Sequence, residues 1–367
     1  MIIRLLTLLC CMSLATLTSA AQESRIPLKS YWIKNTQGDV IFDPQTSALV
    51  YRQGQLLSIG DGSAHKDMQL QLLPIDPSTA ILSENTFPLA QSNAVKNGCF
   101  SPYLDYGPDL EGMAMHPNDE KVMIIVTEDA YHFELKGDCL SRYGDTGSTK
   151  HPTVLLRVEI QDDQSGIITH TKPLRFPKKY RIGNSPNDGV EGLTFGAGNT
   201  LYLGLEKDAS GHARIFELQI TDAFWESPEA ATVKDSGLDI PHIEDGKNHP
   251  INALAYYADS KNSGFLLAAA RNDNQVWIID TLKQKPSKIV YLDFLAESLS
   301  ENCPKWETMN NYSIEGMTVV NQNLWLINDP WKVNYPKNAT CKDMLPFYER
   351  MAPLLTKLPL KPEWIRR

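Results

Sequence analysis

Glu111, Glu191 and Glu315 each stand in the same short phrase: an apolar residue, Glu-Gly, Met or Leu, then Ala or Thr. The three copies are Leu110-Glu111-Gly112-Met113-Ala114, Val190-Glu191-Gly192-Leu193-Thr194 and Ile314-Glu315-Gly316-Met317-Thr318. After each comes a polar stretch, then an apolar β-rich run ending in an acid: Val122 to Glu128, Leu201 to Glu206 and Leu324 to Asp329. Repetition of this length puts the glutamates in equivalent positions of one architecture. Carboxylates gathered round a shared axis repel one another, so a cation, protonation or basic partners must relieve them. A hard divalent ion does so directly. Glu111, Glu191, Glu315 and the amide oxygen of Asn252 make an oxygen set suited to calcium, less suited to the stricter octahedron of magnesium. No His or Cys joins the set, which disfavours zinc. Two plainer readings compete: glutamates that accept amide hydrogen bonds from a neighbouring sheet, and a channel lined only by water.

The strand-end acids Glu128, Glu206 and Asp329 form a second tier, as solvated turn residues, ion-pair partners or proton-transfer groups. Arg271 holds the corresponding place in a further unit and is expected to pair with one of these acids or to face an anionic substrate. His249 lies just before Ile251 and is a candidate for a catalytic role near the channel mouth. The chain lacks His-Glu-x-x-His, a Gly-x-Ser-x-Gly elbow and a Walker loop. Gly144 to Lys150 has the wrong spacing for a phosphate loop and reads as a surface turn. Asn338-Ala339-Thr340 is a sequon that matters only in a eukaryotic secretory pathway.

Something must position these side chains. Two looser units share the frame, one with Ser47 and one with Asn252 in the glutamate's place, giving unit starts near 47, 111, 191, 252 and 315. A spacing of roughly 60–80 residues suits four-stranded blades rather than a helical solenoid. Within units, runs at 122–128, 153–160, 166–176, 265–271, 275–280 and 287–294 are rich in β-branched and aromatic residues and bounded by turn formers. Helical period is confined to Asp222 to Glu226, Phe294 to Leu299, and Met344 to Leu358 with Pro353 interrupting. The fold expected is an all-β propeller over residues 22–367, with five blades fitting best and six left open by the long second unit. The last unit is short of strands, so Leu28 to Ile41 is expected to join it and close the ring.

The 367 residues carry net charge −9 without a basic cluster, which argues against nucleic acid as a partner. Residues 1–21 read as a cleaved signal peptide: Arg4, an apolar run to Leu17, then Thr18-Ser19-Ala20-Ala21. No later segment is apolar enough to cross a membrane as a helix. A monomer, periplasmic or secreted, is expected. Export makes disulfides of the remaining cysteines. Cys99 precedes Glu111 by the interval at which Cys303 precedes Glu315, and Cys139 and Cys341 follow at nearly equal intervals, so Cys99–Cys139 and Cys303–Cys341 are favoured.

The phrases beginning at Asp109, Gly189 and Ser313, with the strand-end acids, resemble the signature strands of two related families of exported propellers. One is the SdiA-regulated family; the other is named for the esterase-like activity of phytase. Asn252, and the Cys-bearing insertions around 97–108 and 134–152, depart from that pattern. The resemblance implies a propeller and, with the carboxylates, calcium-assisted hydrolysis of a small ester or phosphoester at the channel mouth. The alternative is a non-catalytic ligand-binding or scaffolding propeller of the cell envelope whose glutamates are structural.

Overall fold

A computed structural model describes residues 25–128, 133–148, 151–183, 188–243, 245 and 247–366. The signal segment 1–21 lies outside the described residues. Apolar runs with few polar interruptions become strands covered on both faces: every residue of Val122–Thr127 is buried. A sheet wedged between two other sheets has no face for polar alternation to mark.

Antiparallel pairing groups the strands into five sets, here called units. The first holds Thr46–Arg52, Gln55–Gly60, Gln71–Asp76 and Phe87–Gln91; the second Leu110–Met115, Val122–Thr127, Val154–Ile160 and Gly166–Arg175. Val190–Phe195, Thr200–Leu205, Arg214–Gln219 and Lys234–Asp235 form the third. The fourth is Ile251–Ser260, Ser263–Ala270, Gln275–Asp280 and Lys288–Glu297. The fifth has only Ile314–Val320, Asn323–Asn328 and Leu354–Pro359 from the C-terminal part, and Ile26–Trp32 supplies its outer strand, Ser30 opposite Thr356. Each unit's first strand packs against that of the next, and the fifth returns to the first. The molecule is a β-propeller closed by its N-terminal strand. That strand ends at Trp32, before the expected limit at Ile41, and also runs parallel to Lys288–Glu297 of the fourth unit.

Two expected helices are corrected. Phe294 to Leu299 falls largely within the strand Lys288–Glu297, where Leu292, Phe294 and Ala296 are buried while their neighbours are less so; the period is two. Met344 to Leu358 holds only the short helix Leu345–Glu349, and after Pro353 the chain becomes the strand Leu354–Pro359. The fifth sheet needs that strand, and pairing with Asn323–Asn328 outweighs local helical preference. At Asp222 to Glu226 a single 3₁₀ turn, Asp222–Phe224, is formed.

Disulfides join Cys99 to Cys139 and Cys303 to Cys341, as the matched intervals suggested. The described residues of 92–109, 128–153, 298–313 and 329–353, which include these bridges, lie between strands at the face where the inner strands begin. The opposite face has tight turns at 53–54, 261–262 and 321–322. Long loops on one face of a rigid scaffold are where binding groups concentrate.

Candidate functional site

One backbone irregularity recurs in every unit. Pairing between the first two strands slips at Thr46/Ala48, Leu110/Met113, Val190/Gly192, Ile251/Ala253 and Ile314/Gly316. Ser47, Glu111, Glu191, Asn252 and Glu315 therefore sit in β-bulges, which re-aim a side chain out of the ladder. All five are buried. The second strand ends with an equally regular bond. The amides of Asp61, Glu128, Glu206, Arg271 and Asp329 donate to the carbonyls of Gln45, Asp109, Gly189, Pro250 and Ser313. Each strand-end side chain is thus fixed beside a bulged one.

Glycine after the glutamate serves the ring itself. A Cβ on Gly112 would lie 2.7 Å from Leu193 N, one on Gly192 2.9 Å from Leu254 N, and one on Gly316 2.6 Å from Ala48 C. Neighbouring inner strands approach too closely for any side chain there. The next residue of each inner strand, Leu49, Met113, Leu193, Leu254 or Met317, is almost fully buried and apolar. These five line the narrow passage toward the opposite face, so the carboxylates sit in a well with an apolar floor.

Carboxylates crowd this well. Oxygens of Asp109, Glu111 and Glu128 converge within 4.8 Å of one another. The Glu111 and Glu191 carboxyls are within hydrogen-bonding reach of each other. Burial first, then Glu191, Asp109 and Glu128, holds the Glu111 carboxyl well above the ordinary range. Burial and the charges of Glu191 and Asp109 do the same to Glu128, although Gly189 N donates to its Oε1 at 3.0 Å. Glu191 is raised by burial, Glu315 and Glu206. Asp61 is pushed up to about 7 by burial, Asp109 and Asp329.

Cations stand to one side. Arg271 Nη1 lies 3.2 Å from Glu315 Oε1, Nη2 donates to Asp329 Oδ2 at 2.8 Å, and Nε donates to Ser313 Oγ at 2.7 Å. Lys207 Nζ lies 2.9 Å from Asp188 and 3.8 Å from Glu206. No Lys or Arg among the described residues comes within ion-pair distance of Glu111, Glu128 or Glu191. Asn252 donates through Nδ2 to Glu315 Oε1 at 3.5 Å, while its Oδ1 has no partner. Glu206 Oε2, Glu315 Oε2 and Asp329 Oδ1 are likewise buried without hydrogen-bond partners. Oxygen-only donors, excess negative charge and orphaned oxygens fit a hard divalent cation.

Glu111, Glu191, Asn252 and Glu315 thus meet round the axis, but Glu315 is engaged by Arg271. Arg271 takes the ion-pair role. His249 is tied at both ring nitrogens, Nδ1 to Asp273 at 2.5 Å and Nε2 to Asp245 at 2.9 Å. Burial opposes its charge, yet the bonds to Asp273 and Asp245 raise its pKa, and neither ring nitrogen is free to act on a ligand. Asp61 and Asp109 escaped the sequence reading of the site. Their signal was present: Asp109 stands two residues before Glu111, and Asp61 ends a run aligned with those ending at Glu128, Glu206 and Asp329. Cys303, Cys341 and Glu307 also cluster, but both sulfurs are in the disulfide and Glu307 Oε1 accepts from Cys341 N at 2.8 Å. A cavity of about 780 Å³, lined by His212, Arg214, Asp235, His242, Lys247 and Trp277, contains none of the well's carboxylates.

No protein-family model and no curated protein matches the chain. Solved structures do, at low identity. A PQQ-bound aldose sugar dehydrogenase from Streptomyces coelicolor is 9% identical, with 86% of this chain and 94% of that one covered and a TM-score of 0.35. A gluconolactonase from Xanthomonas campestris is 11% identical over 89% and 88%, with a TM-score of 0.36. A structure from the GH130 family of mannoside phosphorylases and glycoside hydrolases is 10% identical over 88% and 86%, with a TM-score of 0.44. Likenesses this distant say nothing about the reaction of this chain.

Proposed function

We propose that this protein is an exported, monomeric five-bladed propeller of the SdiA-regulated and phytase-like kind, whose well binds calcium and hydrolyses a small ester or phosphoester. One observation carries the reading: Glu111 and Glu128 are buried carboxylates that converge with Asp109 and have no ion-paired Lys or Arg among the described residues. Burying such a group of acids without counter-charge costs several kcal/mol for each ion. We assign Asp109, Glu111, Glu128 and Glu191 to holding the ion, with Asn252 beside Glu315 and Glu315 serving Arg271. A bound divalent cation supplies Lewis acidity toward a carbonyl or phosphoryl oxygen. Glu206 is assigned to proton transfer: its Oε2 lacks a hydrogen-bond partner, and burial raises its pKa despite Arg271 and Lys207. Disulfides, and the lack of any described helix able to cross a membrane, fit export.

The test is calorimetric titration of chelator-stripped mature protein with calcium, followed by assays of aryl esters and aryl phosphates with calcium and with chelator. Binding together with calcium-dependent turnover is expected. Binding without turnover on any substrate removes the enzyme.

A second reading has its own support. Glu128 accepts from Gly189 N across the second and third units, and Arg271 spans the fourth and fifth. A scaffolding propeller would use the well in this way alone. Chelation would then lower the melting temperature while no substrate is found.

A further inference from the structure

We propose that Tyr103 is a positioning residue of the cation site, and that the Cys99–Cys139 bridge sets the ion affinity of the well through it. The inference rests on the cation reading and assigns what that reading leaves open: the means by which mutually repelling acids are held in place before an ion arrives. The Tyr103 hydroxyl stands at a junction. It accepts from Asp109 N at 3.0 Å and lies within hydrogen-bonding reach of the Thr127 hydroxyl. Asp109 stands two residues before Glu111, and Thr127 directly precedes Glu128. One phenol thus touches both strand ends that bring the converging acids together. Burial, then the charge of Asp109, push the Tyr103 pKa up, so it stays a neutral hydroxyl able to accept and donate at once.

Asp109 is fastened at two further points. Its carbonyl accepts from Glu128 N at 3.1 Å, and its Oδ1 accepts from Gly62 N at 2.8 Å. Removing the phenol releases the amide of Asp109, and repulsion within the group then favours movement of its carboxylate away from Glu111 and Glu128. Supports of this kind behind metal ligands set affinity by about 10–100-fold.

The Cys-bearing insertions hold the phenol where it is. Tyr103 belongs to the short helix Ser101–Asp105 and is buried. Its ring centroid lies 4.9 Å from that of His151 and 5.8 Å from that of Phe133. Phe100, at the start of the same helix, packs at 5.4 Å against Tyr143 of the helix Gly137–Tyr143. Cys99 directly precedes Phe100, and Cys139 lies in the second helix, so the bridge fastens the segment bearing Tyr103 to the one bearing Tyr143. The other bridge serves a different side of the well. Its loops meet where Asn338 and Asn311 exchange hydrogen bonds, close to the Ser313 that bonds Arg271. Only the first bridge therefore stands behind Asp109, and the second provides a control.

The test is calorimetric titration of chelator-stripped protein with calcium, with thermal scans in chelator on the same samples. Tyr103→Phe keeps the ring and loses the hydroxyl, and it is expected to raise the calcium Kd about tenfold. Asp109→Asn should raise Kd at least as much, and Tyr103→Phe added to it should cost less than it does alone, because the hydroxyl acts through that carboxylate. Cys99→Ser/Cys139→Ser should raise Kd severalfold, whereas Cys303→Ser/Cys341→Ser should leave it unmoved. A Tyr103→Phe protein that melts lower yet binds calcium as the wild type does has lost packing alone, and overturns the proposal. Fully additive effects in the double variant overturn it too. Should Tyr103→Phe fail to fold, the bridge variants decide: a larger Kd for the first bridge supports the proposal, and equal effects of the two sink it. A wild-type protein that binds no calcium removes the cation reading and this inference together.

Discussion

Arg271 donates from Nη2 to Asp329 Oδ2 at 2.8 Å across the boundary between the fourth and fifth units. The same guanidinium neutralises Glu315. Removing one partner of a buried pair leaves the others uncompensated. Arg271→Ala is therefore expected to lower unfolding free energy on the order of 3 kcal/mol. Denaturant melts check this, and added calcium should recover part of the loss by supplying a new counter-charge.

Glu111→Gln has opposite expected effects with and without metal. It removes one member of a mutually repelling group, so the chelated protein should melt at a higher temperature. With calcium present it loses a charged ligand, and affinity should fall tenfold or more, by roughly the factor seen for damaged metal sites. Calorimetry and thermal scans of the same samples read both. A variant that merely loosens the fold would lower both melting temperatures.

Stability of the metal-free protein should fall as pH rises. Asp61 has a folded-state pKa of about 7, raised by burial, Asp109 and Asp329, against 3.8 for the free group. Between those values the unfolded chain has released its proton and the folded chain has not. The unfolded state thus binds fewer protons, and unfolding free energy declines with pH across that window. Glu111, Glu128 and Glu191, also raised by burial, act in the same direction. Melting curves in chelator from pH 4 to pH 8 should shift downward by several degrees, and calcium should flatten the trend.

Alanine at the ring glycines should be costly, and at a loop glycine cheap. In Gly112→Ala and Gly316→Ala the new methyl meets the next inner strand at under 3 Å, and overpacking of this kind costs about 1–3 kcal/mol. Gly198 has φ +62 but nothing within 4 Å, so Gly198→Ala should cost only about 1 kcal/mol from backbone conformation. Chemical denaturation of the three variants orders them.

Reduction should destabilise the protein, by ~4 kcal/mol for each bridge on loop-closure grounds. Cys99–Cys139 closes a span of 40 residues and Cys303–Cys341 one of 38, so neither should dominate. Thermal scans of Cys99→Ser/Cys139→Ser and Cys303→Ser/Cys341→Ser, each with a peptide map without reductant, check the pairing and the cost.

The amino-acid sequence by itself determined the repeat, and through it the all-β character, the equivalence of Glu111, Glu191 and Glu315, and the cysteine pairing. Those follow from periodicity, which survives any arrangement of the units in space. It also foretold closure by the N-terminal strand, because the last unit visibly lacked one. It misassigned Phe294 to Leu299, because an isolated window does not show that the distant segments Ile26–Trp32 and Trp306–Met309 pair with that stretch.

Only the tertiary structure decided the charge balance of the well. That Arg271 takes Glu315 and Asp329, that His249 is held between Asp245 and Asp273, and that Asp109 converges with Glu111 and Glu128 are relations between separate units or loops. Electrostatic partnership depends on a few ångströms of separation and on burial. Spacing along the chain carries neither, which is why the ring of acids and Arg271 as an ion-pair candidate were legible, and which acids Arg271 takes was not.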